Sequence, residues 1–150
     1  MLITLKFVAI LTAAVFAGAA LYINLVEHPA RMSLDTKAAA MEWAPSYARA
    51  TLLQAPLAVL SLVSGLGSWL LGAGIGWAVA ALLIGAVVPF TLLVIMPTNR
   101  ALLATGRDLA SLETRALLAR WARLHSVRTV LGLAAASSYV FLALASDHTG

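Results

Sequence analysis

Four long apolar stretches constrain what this chain can fold into. They cover about residues 3–26, 47–71, 75–96 and 124–145, and each is long enough to cross a hydrocarbon core of about 30 Å as a helix. Charged residues make up only 11% of the 150 residues, so the chain lacks the polar helix faces of a soluble bundle. The sequence therefore predicts an all-α protein: one transmembrane domain over residues 1–150, folded as an integral membrane four-helix bundle.

The basic residues predict how this bundle is oriented. Nine of the ten Lys and Arg residues lie in or beside the first and third connections, and Lys6 lies at the opposite end. Basic residues mark the cytoplasmic side, so we expect a multi-pass protein of the inner or plasma membrane with both termini outside the cytoplasm. The net charge of +4 is then explained by topology, and nucleic acid is not expected as a partner. The lipid bilayer is the expected partner, and an oligomer is compatible with the sequence.

The two halves of the chain show the same order of features. The first stretch ends in VEHPAR and the third in VIMPTNR, and each is followed by a tryptophan with a polar ring four residues later: Trp43 with Tyr47, and Trp121 with His125. This order predicts two repeated helical hairpins related by an axis along the membrane normal. Within the connections, residues 33–44 predict a short amphipathic segment at the interface before Pro45, and residues 107–120 predict the start of a helix.

Nearly all unusual polar residues fall at the predicted cytoplasmic end. A histidine can take or give a proton near neutral pH, so His125 is the first candidate for a general base. The alternative is that His125 only hydrogen-bonds a carbonyl and closes the bundle. The candidate catalytic residues are His28, Tyr47, Asn99, His125 and Arg128, and the candidate substrate-binding residues are Glu27, Arg31, Trp43, Gln54, Arg100 and Trp121.

The other candidates divide between chemistry and membrane anchoring. Amide groups of Asn99 and Gln54 can hold a carbonyl or phenol, and arginines such as Arg128 can stabilise an enolate or phenolate. The same arginines can instead reach lipid phosphates, which is common at the end of a span. Trp43 and Trp121 fit either an interfacial aromatic belt or a stacking wall for an aromatic ligand.

A metal or haem site is a second hypothesis for the histidines. His28 and His125 come from different helices, and neutral imidazoles suit zinc, copper or iron, with Glu27 as an oxygen ligand. No HxxxH or ExxH spacing is present, so the two histidines would have to meet through folding. The third histidine, His148, lies in the C-terminal tail.

Four motifs together resemble a known family. They are EHPARM after the first stretch, W-x3-Y before the second, PFTLLVIMPTNRALL closing the third and WARLHSVRT opening the fourth. This combination is similar to the DUF1772 group, also called the anthrone oxygenase-like family, over nearly the whole chain. The resemblance implies a small four-helix membrane protein and an oxygenase acting on a phenolic or polyketide-like molecule. The positions that match the motifs are His28, Pro29, Pro97, Asn99, Trp121, His125 and Arg128.

Two functional hypotheses follow. In the first, a planar aromatic molecule with an acidic C–H enters from the membrane, His125 removes a proton, and the anion, stabilised by Arg128 and Asn99, reacts with dioxygen without a cofactor. In the second, the chain is a non-catalytic small-molecule binding or transport module or a helper subunit. Transport needs a polar path across the bilayer, and the outer halves of the spans contain few polar residues beyond serines.

Overall fold

The computed structural model describes residues 1–146, and all regular structure in that range is helical. There are four long helices: α1 (Leu2–Met32), α2 (Thr36–Ala73), α3 (Ile75–Leu102) and α4 (Leu112–Ser146). Each is long and apolar enough to cross a membrane, which confirms the predicted all-α membrane bundle and indicates an integral multi-pass protein. The tail with His148 lies outside the described residues.

The four helices form a square in which neighbours in sequence are neighbours in space. α1 packs against α2 and α4, and α3 also packs against α2 and α4, so α1 and α3 occupy one diagonal. α2 and α4 occupy the other diagonal and touch at fewer points. An axis along the bundle would therefore exchange the α1–α2 hairpin with the α3–α4 hairpin, as expected for two repeated hairpins.

The two helices on the first diagonal share a local irregularity. α1 contains a π-helical turn at Ile23–Glu27 and α3 contains one at Thr91–Ile95. Each turn ends two residues before a proline, Pro29 in α1 and Pro97 in α3. Proline has no N–H to donate to the carbonyl four residues earlier, and a wider turn accommodates that lost bond. The two halves thus resemble each other in backbone geometry as well as in the order of their motifs.

Small residues close the end of the bundle that contains the N-terminus of α1. Ala9 and Ala13 of α1 are fully buried there, and the Ser61 hydroxyl donates to the Ala9 carbonyl at 3.0 Å. Gly65 of α2 lies so close to α4 that an added Cβ would stand 1.9 Å from the Tyr139 hydroxyl. Close approach through small residues and interhelical hydrogen bonds is how helices associate where lipid removes the hydrophobic driving force.

Of the two expectations about the connections, one is wrong and one is confirmed. Residues 33–44 do not form a separate interfacial segment, because α2 begins at Thr36, capped by the Asp35 carboxylate, and continues through Pro45. The predicted start of a helix within residues 107–120 is confirmed, since α4 begins at Leu112 and runs without interruption to Ser146. Hydropathy marks only the apolar part of a helix, and these helices extend beyond it at the end that contains most of the charges.

Candidate functional site

Four aromatic rings meet at the polar end of the bundle. Trp43 of α2 stacks on Tyr47 with ring centroids 5.0 Å apart, and Trp121 of α4 stacks on His125 at 4.9 Å. The two tryptophans contact each other edge to face at 5.8 Å. In each stack the two rings are four residues apart on one helix, a spacing that places side chains on the same face. The repeated Trp-x3-ring pattern therefore forms the centre of the site.

The π-helical turn of α1 holds His125 in one orientation. Asn24 lies in that turn, and its amide nitrogen donates to the Ala122 carbonyl at 3.3 Å. Its amide oxygen therefore faces α4, where it accepts from His125 Nδ1 at 2.7 Å and from the Thr129 hydroxyl at 2.6 Å. Since a carbonyl oxygen only accepts, the hydrogen of a neutral His125 ring is on Nδ1, and Nε2 keeps its lone pair.

A second network ties α1 to α2 through Arg31. Its guanidinium forms ion pairs with Glu27 and Glu42 and donates to Ser46 Oγ at 3.1 Å. It also donates to His28 Nδ1 at 3.3 Å. These contacts use four of the five guanidinium N–H groups of a side chain that is only 3% exposed. Arg31 is therefore largely occupied by the protein itself.

Arg128 is in a different situation. Its Nη2 donates to the Gln54 carbonyl oxygen at 2.7 Å, and its guanidinium lies over the Phe16 ring at 5.6 Å. The Nε atom of Arg128 and the Nε2 atom of Gln54 are both buried without a hydrogen-bond partner. Among residues 1–146, no carboxylate forms an ion pair with Arg128. A cation in an apolar span without a counter-ion is costly, so Arg128 is suited to binding an anion.

Asn99 forms a hydrogen bond with Tyr47. The Asn99 amide nitrogen donates to the Tyr47 hydroxyl oxygen at 3.1 Å, and Asn99 is only 1% exposed. Tyr47 is left free to donate its own hydroxyl hydrogen elsewhere. Asn99 therefore orients a donor that lines the cavities, while its own side chain does not line them.

Two cavities lie at the polar end of the bundle and have one polar wall in common. The outer one, called the cleft here, has a volume of about 150 Å³ and lies between α2 and α3, with Phe16 and Arg128 behind it. The inner one, called the inner chamber, has a volume of about 10 Å³, is lined by Glu27, Trp121 and His125, and offers about the space that one water molecule needs. Both cavities are lined by Tyr47, Thr51, Gln54 and Arg128. This wall therefore stands between the cleft and His125.

Most of the predicted site residues converge, with one clear exception. Arg100 is exposed at the end of α3 and lines neither cavity. His28 is buried and contacts Trp121 with ring centroids 5.4 Å apart. Within residues 1–146, no three His, Cys, Asp or Glu side chains lie close enough to hold a metal ion, so a site built on His28 and His125 would need other ligands and stays a prediction.

Sequence reasoning assigned no role to several residues of the site. Asn24 and Thr129 fix His125, Ser46 joins Arg31 to Glu27, and Phe16 lies under Arg128. The available signal was weak: Asn24 is a polar residue inside an apolar stretch, four residues before His28. Phe16 gives no such signal, because an aromatic residue is ordinary in a membrane span.

Comparisons with known proteins place the chain in a family. The sequence profile of a family described as anthrone oxygenase matches residues 43–138, which include Trp43, Tyr47, Gln54, Asn99, Trp121, His125 and Arg128. A curated relative, anthrone oxygenase tpcL of Aspergillus fumigatus (strain ATCC MYA-4609 / CBS 101355 / FGSC A1100 / Af293), is 43% identical over 65 residues. That alignment covers 41% of this chain and 40% of the relative, so the chain matches less than half of the relative's length. No solved structure matches.

Proposed function

Because the chain belongs to the anthrone oxygenase family, we propose that it is a membrane-embedded oxygenase that oxidises an anthrone-like, phenolic or polyketide-type aromatic molecule with dioxygen. The observation that carries the proposal is the apolar cleft with a polar inner wall, behind which His125 lines the inner chamber. The name of the relative, an anthrone oxygenase, supports this class of substrate.

The first step is removal of a proton from the CH₂ group between the aromatic rings of the substrate. His125 Nε2 is the base, because Asn24 holds the hydrogen of the ring on Nδ1. The inner chamber between the wall and His125 has room for about one water molecule, so the proton reaches Nε2 through one water. The electron pair left on carbon moves onto the substrate carbonyl and forms an enolate.

The enolate oxygen is stabilised by donors of the shared wall. Arg128 supplies the positive charge, and Tyr47, oriented by Asn99, supplies a hydroxyl that donates a hydrogen bond. The electron-rich carbon then gives its electrons to dioxygen and forms a C–O bond, and the peroxide anion takes back the proton held by His125 to give a hydroperoxide. Loss of water from this hydroperoxide leaves a second carbonyl. The overall change is CH₂ + O₂ → C=O + H₂O, in which the substrate supplies all the electrons and no cofactor is needed.

The test is oxygen incorporation by purified protein given anthrone and ¹⁸O₂. We expect one ¹⁸O atom in the new carbonyl of anthraquinone, at a rate above the protein-free background. His125→Ala should lower this rate by about 10²–10⁴-fold, the usual contribution of a general base. Ser126→Ala is the matched control, since Ser126 is the exposed neighbour whose hydroxyl bonds only the Arg123 carbonyl. Full activity in folded His125→Ala would overturn the assignment of the base.

The metal or haem alternative has its own measurement. Elemental analysis and an optical spectrum of the purified protein would detect a stoichiometric metal or a haem band. Either result would replace the cofactor-free reaction and make His28 and His125 the first ligands to test. The hypothesis of a non-catalytic transport or helper protein predicts instead that anthrone is bound and never oxidised.

The proposed function also implies a membrane location and a topology. Residues 1–150 would form one transmembrane domain of an inner or plasma membrane, with the site at the cytoplasmic end and both termini outside the cytoplasm. The exposed apolar side chains along all four helices suggest contact with the lipid bilayer. An oligomer remains compatible with this arrangement.

A further inference from the structure

We propose that the cleft binds its ligand as an anion that enters sideways from the lipid between α2 and α3, with its charged oxygen held by Arg128 and Gln54. The inference rests on the proposed function for the identity of the ligand, a planar hydroxy-aromatic molecule. It goes further in stating that the charge is recognised on binding, before any chemistry. The recognised group is therefore an ionised hydroxyl already present on the edge of the free ligand.

The first line of support is the set of donors without partners. Gln54 is only 2% exposed, and its carbonyl oxygen is occupied by Arg128 while its Nε2 has no acceptor. The buried Nε of Arg128 has no acceptor either. Both residues line the cleft. Buried donors without acceptors and a cation without a counter-ion are each destabilising. One anionic oxygen placed between Gln54 and Arg128 would accept hydrogen bonds from both free donors and neutralise the cation.

The second line of support is the position of Arg128. Its guanidinium is fixed between the Gln54 oxygen and the Phe16 ring, so it is already oriented when a ligand arrives. By contrast, Arg123 on the same helix is exposed and does not line the cleft. A preoriented cation loses less entropy on binding than a mobile one, which favours an anchoring role.

The third line of support is where the cleft opens. The residues at its edge that are exposed are Thr51, Ala55 and Leu92. All three lie in α2 and α3, helices that are long and apolar enough to cross a membrane, so we infer that the opening faces lipid. The cleft volume of about 150 Å³ is below the roughly 300–1,000 Å³ of pockets that enclose drug-sized ligands. A molecule with three fused rings would therefore be partly enclosed, with the remainder in the acyl chains.

The test measures binding without turnover, using quenching of tryptophan fluorescence by two matched ligands in lipid nanodiscs. 2-Hydroxyanthraquinone can ionise and 2-methoxyanthraquinone cannot, and neither has a CH₂ group left to oxidise. At a pH where the hydroxyl is ionised, we expect the hydroxy compound to bind at least about tenfold more tightly. Equal affinity of the two ligands for the wild-type protein would overturn the inference.

Variants assign the preference to the two side chains. Arg128→Gln should remove the preference for the ionised ligand. Gln54→Glu should remove it as well while keeping the fold, because the new carboxylate pairs with Arg128 and takes the place of the ligand anion. Arg123→Gln is the matched control and should keep the preference. A preference that survives in Gln54→Glu would contradict the site.

The opening is tested separately. Ala55→Trp should fill the edge of the cleft and weaken binding of 2-hydroxyanthraquinone at least about tenfold, whereas Leu52→Trp, exposed on α2 outside the cleft lining, should not. Unchanged binding in Ala55→Trp would exclude this route.

Competition and turnover separate the remaining explanations. If palmitate binds more tightly than 2-hydroxyanthraquinone and displaces it from the cleft, the cleft is a fatty-acid site and the assignment of an aromatic ligand is overturned. Anthrone turnover without any preference for the ionised ligand would support the proposed function and contradict anion binding in the cleft. A preference for the ionised ligand without anthrone turnover would support anion binding and contradict the proposed function.

Discussion

At the scale of single residues, the two buried histidines are held in opposite tautomers. His125 Nδ1 faces the amide oxygen of Asn24, which can only accept a hydrogen bond. His28 Nδ1 faces a guanidinium N–H of Arg31, which can only donate. A neutral His125 therefore has its hydrogen on Nδ1, and a neutral His28 has it on Nε2. Only the first arrangement leaves Nε2 available as a base.

We predict that ¹⁵N NMR of the neutral rings will show His28 and His125 in opposite tautomers. Asn24→Leu should release His125 to the Nε2–H form, while Asn24→Asp, which keeps an acceptor oxygen, should preserve the Nδ1–H form. His28 is the internal control, because its partner Arg31 is unchanged in both variants. The same tautomer for His28 and His125 in the wild-type protein would contradict the geometry. If the base assignment is right, Asn24→Leu should also lower kcat without weakening ligand binding.

Local spacing predicted part of this site, and distant pairing could not be predicted. Trp121 and His125 are four residues apart on one helix, so their shared face followed from the helical period. Asn24 and His125 are 101 residues apart in sequence, and their contact depends on how α1 and α4 pack. The four-residue spacing of Glu27 and Arg31 indicates an ion pair on one helix. Nothing in the sequence indicated that Glu42 also pairs with Arg31, or that Arg128 has no carboxylate partner among residues 1–146.

At the scale of helices, the closed end of the bundle depends on one close approach. A Cβ at Gly65 would stand 1.9 Å from the Tyr139 hydroxyl oxygen and 2.9 Å from the Ala81 Cβ. We predict that Gly65→Ala lowers the free energy of unfolding by about 1–3 kcal/mol, the usual cost of overpacking. Gly18→Ala in α1 is the matched control, because nothing lies within 4 Å of its Cβ position.

The control should be neutral or slightly stabilising, by about 0.5–1 kcal/mol, since alanine is a better helix former than glycine. Reversible unfolding in detergent, followed by circular dichroism, would measure both variants. Equal stability of Gly65→Ala and the wild-type protein would show that α2 and α4 separate more easily than the contact distances indicate.

Hydropathy was sufficient to predict four helices and insufficient to predict where they end. α2 starts at Thr36 because the Asp35 carboxylate caps it there. From this start the helix continues through a charged segment and through Pro45. The π-helical turns before Pro29 and Pro97 were also not predicted, because a proline in a membrane helix can be accommodated in several ways.

At the scale of the whole molecule, the bundle has two unlike ends. The end with Lys6, Trp77 and Tyr139 is closed by small residues, and Lys6 lies over the Trp77 ring at 5.2 Å. The other end contains the cleft, the inner chamber and most of the basic residues. A substrate pathway through the closed end would need polar lining, so this asymmetry favours reaction or binding at one end over transport across the membrane.

The orientation of these ends can be measured directly, because the chain contains no cysteine. We predict that Thr105→Cys, in the exposed connection between α3 and α4, is protected from a membrane-impermeant maleimide in intact cells. Leu71→Cys, at the exposed end of α2, should be labelled under the same conditions. After the cells are permeabilised, both should react. The reverse pattern would place the site outside the cytoplasm.

The proposed sideways entry through the cleft between α2 and α3 also has a kinetic consequence. A ligand that arrives through this opening comes from the hydrocarbon phase, so its effective concentration is the number of ligand molecules per lipid molecule. Adding empty vesicles dilutes it as surely as adding buffer dilutes a water-soluble substrate. An apparent KM stated in bulk molarity would then rise with the amount of lipid, although the protein itself is unchanged.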